Sequence, residues 1–164
     1  MSVNVVVRDG ARYISGALRS LTRQTYSDFE VVVVDDGSQD DTARLVERQS
    51  CGDPRIRLVR ARPIGLVAAR NLALAHSRGE FVAVHDGDDL AMRHRLEVQV
   101  AEMDANPAAV AVGAHGWRIN EWGLPIGRLR TGPVGRAGYR ARRRAEVPFH
   151  LTHSSVMARR AGLE

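Results

Sequence analysis

Four valines in succession, Val31 to Val34, run straight into Asp35-Asp36-Gly37-Ser38. β-Branched residues at both odd and even positions suit a strand covered on both faces, as in a parallel sheet packed between helices. The same event recurs along the chain. Val3 to Val7 ends at Asp9-Gly10, Phe29 to Val34 at the acidic turn just named, and Phe81 to Val84 at His85-Asp86-Gly87-Asp88-Asp89. Segments of helical period lie between these runs. Ile14, Ala17, Leu18 and Leu21 form one stripe, and Ala43, Val46 and Gln49 share a face behind a cap from Ser38, Asp40 or Asp41. Leu66 to Ser77 is alanine-rich with Gly79 placed to end it, and Leu96, Val100 and Met103 stripe a helix that closes at Asn106-Pro107. Short strands at Ile56 to Val59 and Val110 to Gly113 complete the alternation. The pattern predicts right-handed βαβ units: an α/β fold with a mostly parallel sheet and helices on both faces.

Size and composition fit this reading. The chain has 164 residues, the length of one domain, and 44% hydrophobic residues, enough for a core. No run approaches the roughly 18 apolar residues of a membrane-crossing helix. The N-terminal run lacks the charged, apolar and cleavage regions of a secretory leader, so none is expected. Cys51 stands alone, which excludes a disulfide framework or thiolate metal cage and suits a reducing compartment. All 24 basic residues are arginine. Schiff-base chemistry, a phosphate-loop lysine and lysine-dependent phosphoaspartate sites are thereby excluded, and the glycine fingerprint of nicotinamide enzymes is missing. Charge divides the chain. The first 117 residues hold 14 arginines and 16 acids, whereas Arg118 onward holds ten arginines and three acids, with a basic run from Arg140 to Arg144. Patterning is regular in the acidic part and gives way to a glycine-punctuated, loop-rich stretch in the basic part. Two parts are expected, 1–115 and 116–164.

Chemistry concentrates where strands stop. In a parallel sheet the C-terminal ends of all strands lie along one edge, where open α/β sheets bind ligands. Asp35-Asp36 and Asp86-Gly87-Asp88-Asp89 are therefore expected to share a rim. Asp-Gly alone is an ordinary turn pair; its repetition at equivalent strand ends carries the functional reading. Five carboxylates there would repel one another without a compensating cation, and hard oxygen donors select Mg2+ or Mn2+. Asp86 and Asp88, two apart, would point the same way in an extended segment and could join one ion to a diphosphate. A calcium loop is excluded although Glu97 is twelfth from Asp86, because Leu90 and Ala91 replace an oxygen ligand and the required glycine.

Six short blocks follow one order over residues 3 to 104. They are Arg8 to Ile14, Ser20-Leu21 with Gln24-Thr25-Tyr26, Glu30 to Asp40, Gly65 with Ala69-Arg70-Asn71, Arg78 to Phe81, and Asp86 to Asp89 leading to Arg95-Leu96-Glu97. Together they resemble the family 2 glycosyltransferases. The resemblance implies a GT-A fold, in which a Rossmann-like nucleotide-binding half precedes an acceptor-binding half. It also implies metal-assisted transfer of a sugar, with inversion, from a nucleotide-diphosphate donor (usually a UDP-sugar) to an acceptor hydroxyl. On this resemblance Asp35 and Asp36 meet the base, the backbone of Val7 to Asp9 lines the base pocket, and Gly65 and Arg70 lie near the nucleotide and its phosphates. Asp86 with Gly87 approaches the ribose, and Asp88 holds Mn2+ or Mg2+ with Asp86 and Asp89 beside it, as a DXD motif. Glycan, lipid-linked or other hydroxyl acceptors are implied, as is work at the cytoplasmic side of a membrane with peripheral contact to its surface.

The chain departs from the family pattern in two places. Val6 and Arg8-Asp9 stand where the family often has a proline and a Tyr-Asn pair. The late carboxylate that takes the acceptor proton has no counterpart, since after Asp104 only Glu121, Glu146 and Glu164 remain. No catalytic base is assigned, and the acceptor half is expected to be incomplete. His150 to Arg160 resembles the start of that half and puts His153 and Ser154 on the acceptor side. Trp117 and Trp122 could stack on a sugar, with half-buried packing as the default. The rival reading is a basic module that binds nucleic acid or an anionic surface through Arg140 to Arg144. Aromatics are only 5% and no base-stacking motif accompanies the run, which makes nucleic acid the weaker expectation.

Overall fold

The computed structural model describes residues 1–130, 138 and 152–163. Its centre is a six-stranded sheet whose order is β3-β2-β1-β4-β8-β5. β1 (Ser2–Val7), β2 (Glu30–Asp36), β3 (Ile56–Ala61) and β4 (Phe81–Asp86) are parallel. β8 (Met157–Arg159) runs antiparallel between β4 and β5 (Ala111–Val112). The expected helices form between the parallel strands: α1 (Ile14–Thr22), α2 (Thr42–Gly52) and α3 (Leu66–His76), with α4 (Arg95–Ala105) after β4.

The valine run of β2 divides between two cores. Val31 and Val33 join Val3, Val5 and Val7 of β1 under Ile14, Leu18 and Leu21 of α1, Val46 of α2, and Leu96, Val100 and Met103 of α4. Val32 and Val34 face the other way and meet Ala69 and Ala73 of α3. From β3 at the sheet edge the chain crosses back to β4, so a right-handed crossover must pass over the face opposite α1 and α2. That is why α3 stands on its own side, and why its buried positions are alanines packed close to the sheet.

Three sequence expectations change. Gly79 does not end α3, which stops at His76 with Ser77 extended at φ −75°, ψ 135°. Gly79 is needed for space: a Cβ there would come within 2.4 Å of the Met1 backbone, where β1 begins. The loop-rich stretch after Trp117 contains a hairpin, β6 (Gly116–Ile119) and β7 (Pro125–Leu129), with Trp117 paired to Arg128. Trp117 is 49% exposed, half-buried as expected, whereas Trp122 is 76% exposed and does not pack that way. His153–Ser155 forms a 3-10 turn that leads into β8. The basic run at 140–144, with Glu146, His150 and Glu164, lies outside the described residues. Among the described residues no helix is long and apolar enough to cross a membrane.

Candidate functional site

Register fixes where the acidic strand ends stand. Val6 of β1 pairs with Val34 on one side and Asp86 on the other, and Val7 pairs with Asp35. Asp86 is thus level with Val34 two strand spacings away, about 10 Å. Both acidic patches occupy the C-terminal edge of the sheet, one on each side of β1.

The loops of this edge are knitted together by their own polar side chains. Asp9 sits at φ 51°, a left-handed conformation in which its amide donates to Ser38 Oγ (2.9 Å) and its Oδ1 accepts from the Gln39 amide (2.7 Å). The Gly10 amide donates to Thr42 Oγ1 at 2.8 Å and the Ala11 amide to Asp40 Oδ2 at 3.0 Å. Asp40 also receives the Thr42 amide and hydroxyl, and these contacts, the hydroxyl first, hold its carboxyl below the usual range. Of the three cap candidates, the residue that precedes α2 is Asp41, yet its carboxylate turns to Arg44 and Asp40 takes the helical amide.

Asp35 and Asp36 are buried, and each closes a turn. Asp35 Oδ1 accepts from the Ser38 amide (3.1 Å) and from its hydroxyl. Asp36 points to the α3 face and accepts from the amides of Ile64 (2.7 Å) and Gly65 (3.1 Å), just before that helix starts. Gly65 can present its amide because it adopts φ 85°, and Gly37 at φ 71° leaves room for Pro63, 2.6 Å from where a Cβ would be. Asp36→Ala would orphan two amides and should lower stability by about 2 kcal/mol, with Asp36→Asn falling between it and the parent in urea titration.

β4 does not stay extended past Asp86. The Asp89 amide returns to the Asp86 carbonyl at 3.2 Å, a tight turn in place of the straight segment expected for Asp86 and Asp88. Gly87 is buried against Val7, whose Cγ2 would lie 3.2 Å from a Cβ. Asp88 and Asp89 are exposed at the turn. Burial pushes the Asp86 carboxyl up, Asp89 and Asp88 push it further, and His153 and Arg70 oppose them. Arg70 Nη2 of α3 stands 4.0 Å from Asp86 Oδ1. Arg70, Asn71, Asp86 and His153 border a cavity of about 140 Å3 floored by Val82 and Val84. Ser154, the second acceptor-side expectation, is buried beside His153.

On the opposite face of β4 lies a pair that sequence reasoning left unassigned. Arg95 donates to the Val84 carbonyl (2.8 Å), to His85 Nδ1 (3.1 Å) and to Gln99 Oε1 (3.1 Å). Gln99 in turn donates to the Ser155 carbonyl at 2.8 Å, which ties the His153 turn to α4. Burial lowers the Arg95 pKa to about 10, against the pull of Asp89 and Asp86, so a cation remains beneath the acidic turn.

His85 is 1% exposed, and among the described residues its Nε2 has no partner. Burial first, and the Arg95 charge second, push its pKa down to about 3. The unfolded chain takes up a proton near pH 6.5 that the folded protein refuses until about pH 3, so acid removes stability across that window. Between pH 6.5 and 5, where carboxylates titrate little, the slope should approach about 1.4 kcal/mol per pH unit. Urea midpoints measured at each pH should show that slope in the parent and lose most of it in His85→Gln, the remainder coming from His153, whose pKa burial also lowers.

The family model of glycosyl transferase family 2 matches residues 2–164. The chain belongs to glycosyltransferase family 2. An uncharacterized glycosyltransferase of Rickettsia felis is 32% identical over 80% of this chain and 22% of its own length. TarS of S. aureus, solved with UDP-GlcNAc, superposes with a TM-score of 0.61 at 34% identity, over 65% of this chain and 31% of TarS. The mannosyltransferase PcManGT of Pyrobaculum calidifontis, solved with GDP-Man and Mn2+, superposes with a TM-score of 0.65 at 33% identity, over 71% of this chain and 35% of its own. The fold is therefore the GT-A fold of such glycosyltransferases. The chain spans well under half the length of each of these three proteins.

Proposed function

We propose that this family 2 glycosyltransferase chain binds a nucleoside diphosphate sugar, UDP-linked by preference, and presents it for inverting transfer to an acceptor hydroxyl. The observation that carries the reading is the register across β1, which sets Asp35-Asp36 and the Asp86–Asp89 turn on one edge with Arg70 against Asp86. TarS with UDP-GlcNAc and PcManGT with GDP-Man support it by likeness.

In this reading residues 1–115 form the donor-binding part and 116–164 begin the acceptor side. The Asp35 turn and the backbone of Val7 to Asp9 border the base. Asp36, through Gly65, fixes the start of α3 and so aims Arg70 at the phosphates, where a guanidinium makes charge-assisted contacts. Asp86 with Gly87 faces the ribose, and His153 and Ser154 start the acceptor wall.

A divalent cation fits the turn. Burial first, and then Asp89 and Asp88 beyond what His153 and Arg70 offset, raise the Asp86 carboxyl, and a cation at the turn would counter that repulsion. Among the described residues no three metal-binding side chains converge into a cage. Mg2+ and Mn2+ suit such a site, since they take one or two carboxylates and complete their shell with phosphate oxygens and water. Asp88 would hold the ion, with Asp86 and Asp89 adjusting around it. The ion supplies neutralisation of charge on the departing diphosphate. In the transfer itself the acceptor oxygen forms a bond to the anomeric carbon as the bond to diphosphate breaks, and a base takes the hydroxyl proton. Glu121 is engaged with Arg12 at 3.1 Å, so it is not assigned as that base. The acceptor is a glycan, lipid-linked or other hydroxyl compound, met at the cytoplasmic side of a membrane with peripheral contact to its surface.

Calorimetry with UDP, GDP and CDP, each with and without Mn2+, tests the reading. Binding of one nucleotide, strengthened by Mn2+, is expected; binding of none, or binding indifferent to the metal, would count against it.

A further inference from the structure

The β6–β7 hairpin and the segment after Asp89 enclose a second cavity, of about 310 Å3, among Met92, His115, Trp117, Arg128, Leu129 and Arg130. Met92 follows Asp88 by four residues, so their Cα atoms lie within about 14 Å whatever path the turn takes. The Arg12–Glu121 ion pair, 3.1 Å, holds the hairpin loop to the segment before α1. The cavity thus lies within a few residues of chain from the acidic turn and shares no lining residue with the Arg70–Asp86 pocket.

Its largely apolar wall of Met92, Trp117 and Leu129 carries two arginines, Arg128 and Arg130. Arg128 is the cross-strand partner of Trp117, and its guanidinium stacks 5.0 Å from the ring centre. A guanidinium over a ring can still present its N–H groups to an oxyanion, and among the described residues Arg128 has no carboxylate partner. Arg130, two residues on, continues the same side of the chain. Among the described residues no carboxylate pairs with Arg118, Arg128 or Arg130, and Glu121 is already taken by Arg12. The surrounding sequence carries the same sign, with ten arginines against three acids from Arg118 onward. A neutral acceptor gives no reason for this concentration of charge beside an acidic donor site.

We propose that the hairpin groove is an acceptor subsite for an anionic saccharide, one whose sugar ring lies against Trp117 and whose carboxylate or phosphate is held by Arg128 and Arg130. The inference rests on the glycosyltransferase reading and adds the charge class of its acceptor. Uronic acids and phosphodiester-linked polyols offer the same chemistry to the two arginines, and the experiment separates them.

The probes are a hexuronate-containing oligosaccharide, its carboxyl-reduced counterpart, a glycerol-phosphate oligomer and a DNA oligonucleotide of equal charge. Each is titrated into the full chain by calorimetry at low and physiological salt. At least one anionic oligomer should bind about tenfold tighter than the neutral saccharide, and whichever does names the source of the charge. Arg128→Gln with Arg130→Gln should erase that difference, whereas Arg19→Gln with Arg48→Gln, on exposed helix positions, should leave it. Trp117→Ala should weaken charged and neutral saccharides alike. Equal binding of the neutral saccharide, equal loss from the distant arginine pair, or DNA binding as tight as the anionic saccharides would overturn the proposal. A UDP titration with Mn2+ on the same samples separates the two claims. Nucleotide binding without anionic preference refutes the groove alone, and anionic preference without nucleotide binding refutes the donor reading alone.

Discussion

Arg95→Met is expected to lower the stability of the folded protein by about 3 kcal/mol, which is about 9 °C in melting temperature for a chain of this size. The guanidinium satisfies the Val84 carbonyl, His85 Nδ1 and Gln99 Oε1 at once, and methionine would fill its volume while satisfying none. One effect opposes the loss, since removing a buried cation also removes its desolvation penalty, which already pulls the Arg95 pKa down to about 10. Three orphaned acceptors outweigh that relief because each costs about 1 to 3 kcal/mol when water cannot replace the donor. Arg95→Lys, which keeps the cation but has a single donor nitrogen in place of three, should fall between. Urea unfolding at pH 7 measures all three proteins, and a methionine variant as stable as the parent would show that the network contributes nothing.

Asp88→Ala should leave the fold unchanged and weaken metal-dependent nucleotide binding by about 100-fold, since first ligands matter at least as much as the outer groups whose loss costs 10- to 100-fold. Asp88 is exposed on the turn, with no side-chain hydrogen bond to lose among the described residues, so its unfolding midpoint should match the parent's. The contrast with Arg95 is the informative part. On this account the buried cation should act on stability and the exposed carboxylate on ligand affinity, though they stand seven residues apart. Calorimetry with UDP at saturating Mn2+ and again in chelator separates the metal-dependent part. Equal affinity with and without Asp88 would remove it from the metal site.

Much of this architecture was legible beforehand because its signals are local. Four valines in a row demand two covered faces, and β2 indeed shares them between two cores. Strand ends followed by acid-glycine turns demand a common edge once the sheet is parallel, and the register of Val6 and Val7 supplies it. Readings that depended on a distant partner were harder. Gly79 resembled a helix terminator because nothing in the local sequence reveals the Met1 backbone lying where a side chain would go. The Asp36 carboxylate reads as a group beside the base, and nothing local reveals that it also accepts from the Ile64 and Gly65 amides, in a loop 28 residues away. Arg95 has no role assigned from sequence, since an arginine ahead of Leu96 carries no sign of the buried His85 it meets. The hairpin was missed because glycines that punctuate a loop and glycines that allow a strand pair look alike in sequence. Gly127 is of the second kind, with the Arg118 guanidinium 3.0 Å from where its Cβ would be.

The proposed pairing of two acidic strand ends around one metal-bound diphosphate is tested most directly by paramagnetic broadening. With UDP present, Mn2+ should erase the amide signals of Val7 to Asp9, Gly37-Ser38 and Gly87 to Asp89 together. Those of Ser27, Asp28 and Gly79, at the far end of strands roughly 20 Å long, should stay sharp. Broadening confined to one patch, centred at the far end, or independent of UDP would contradict the shared site.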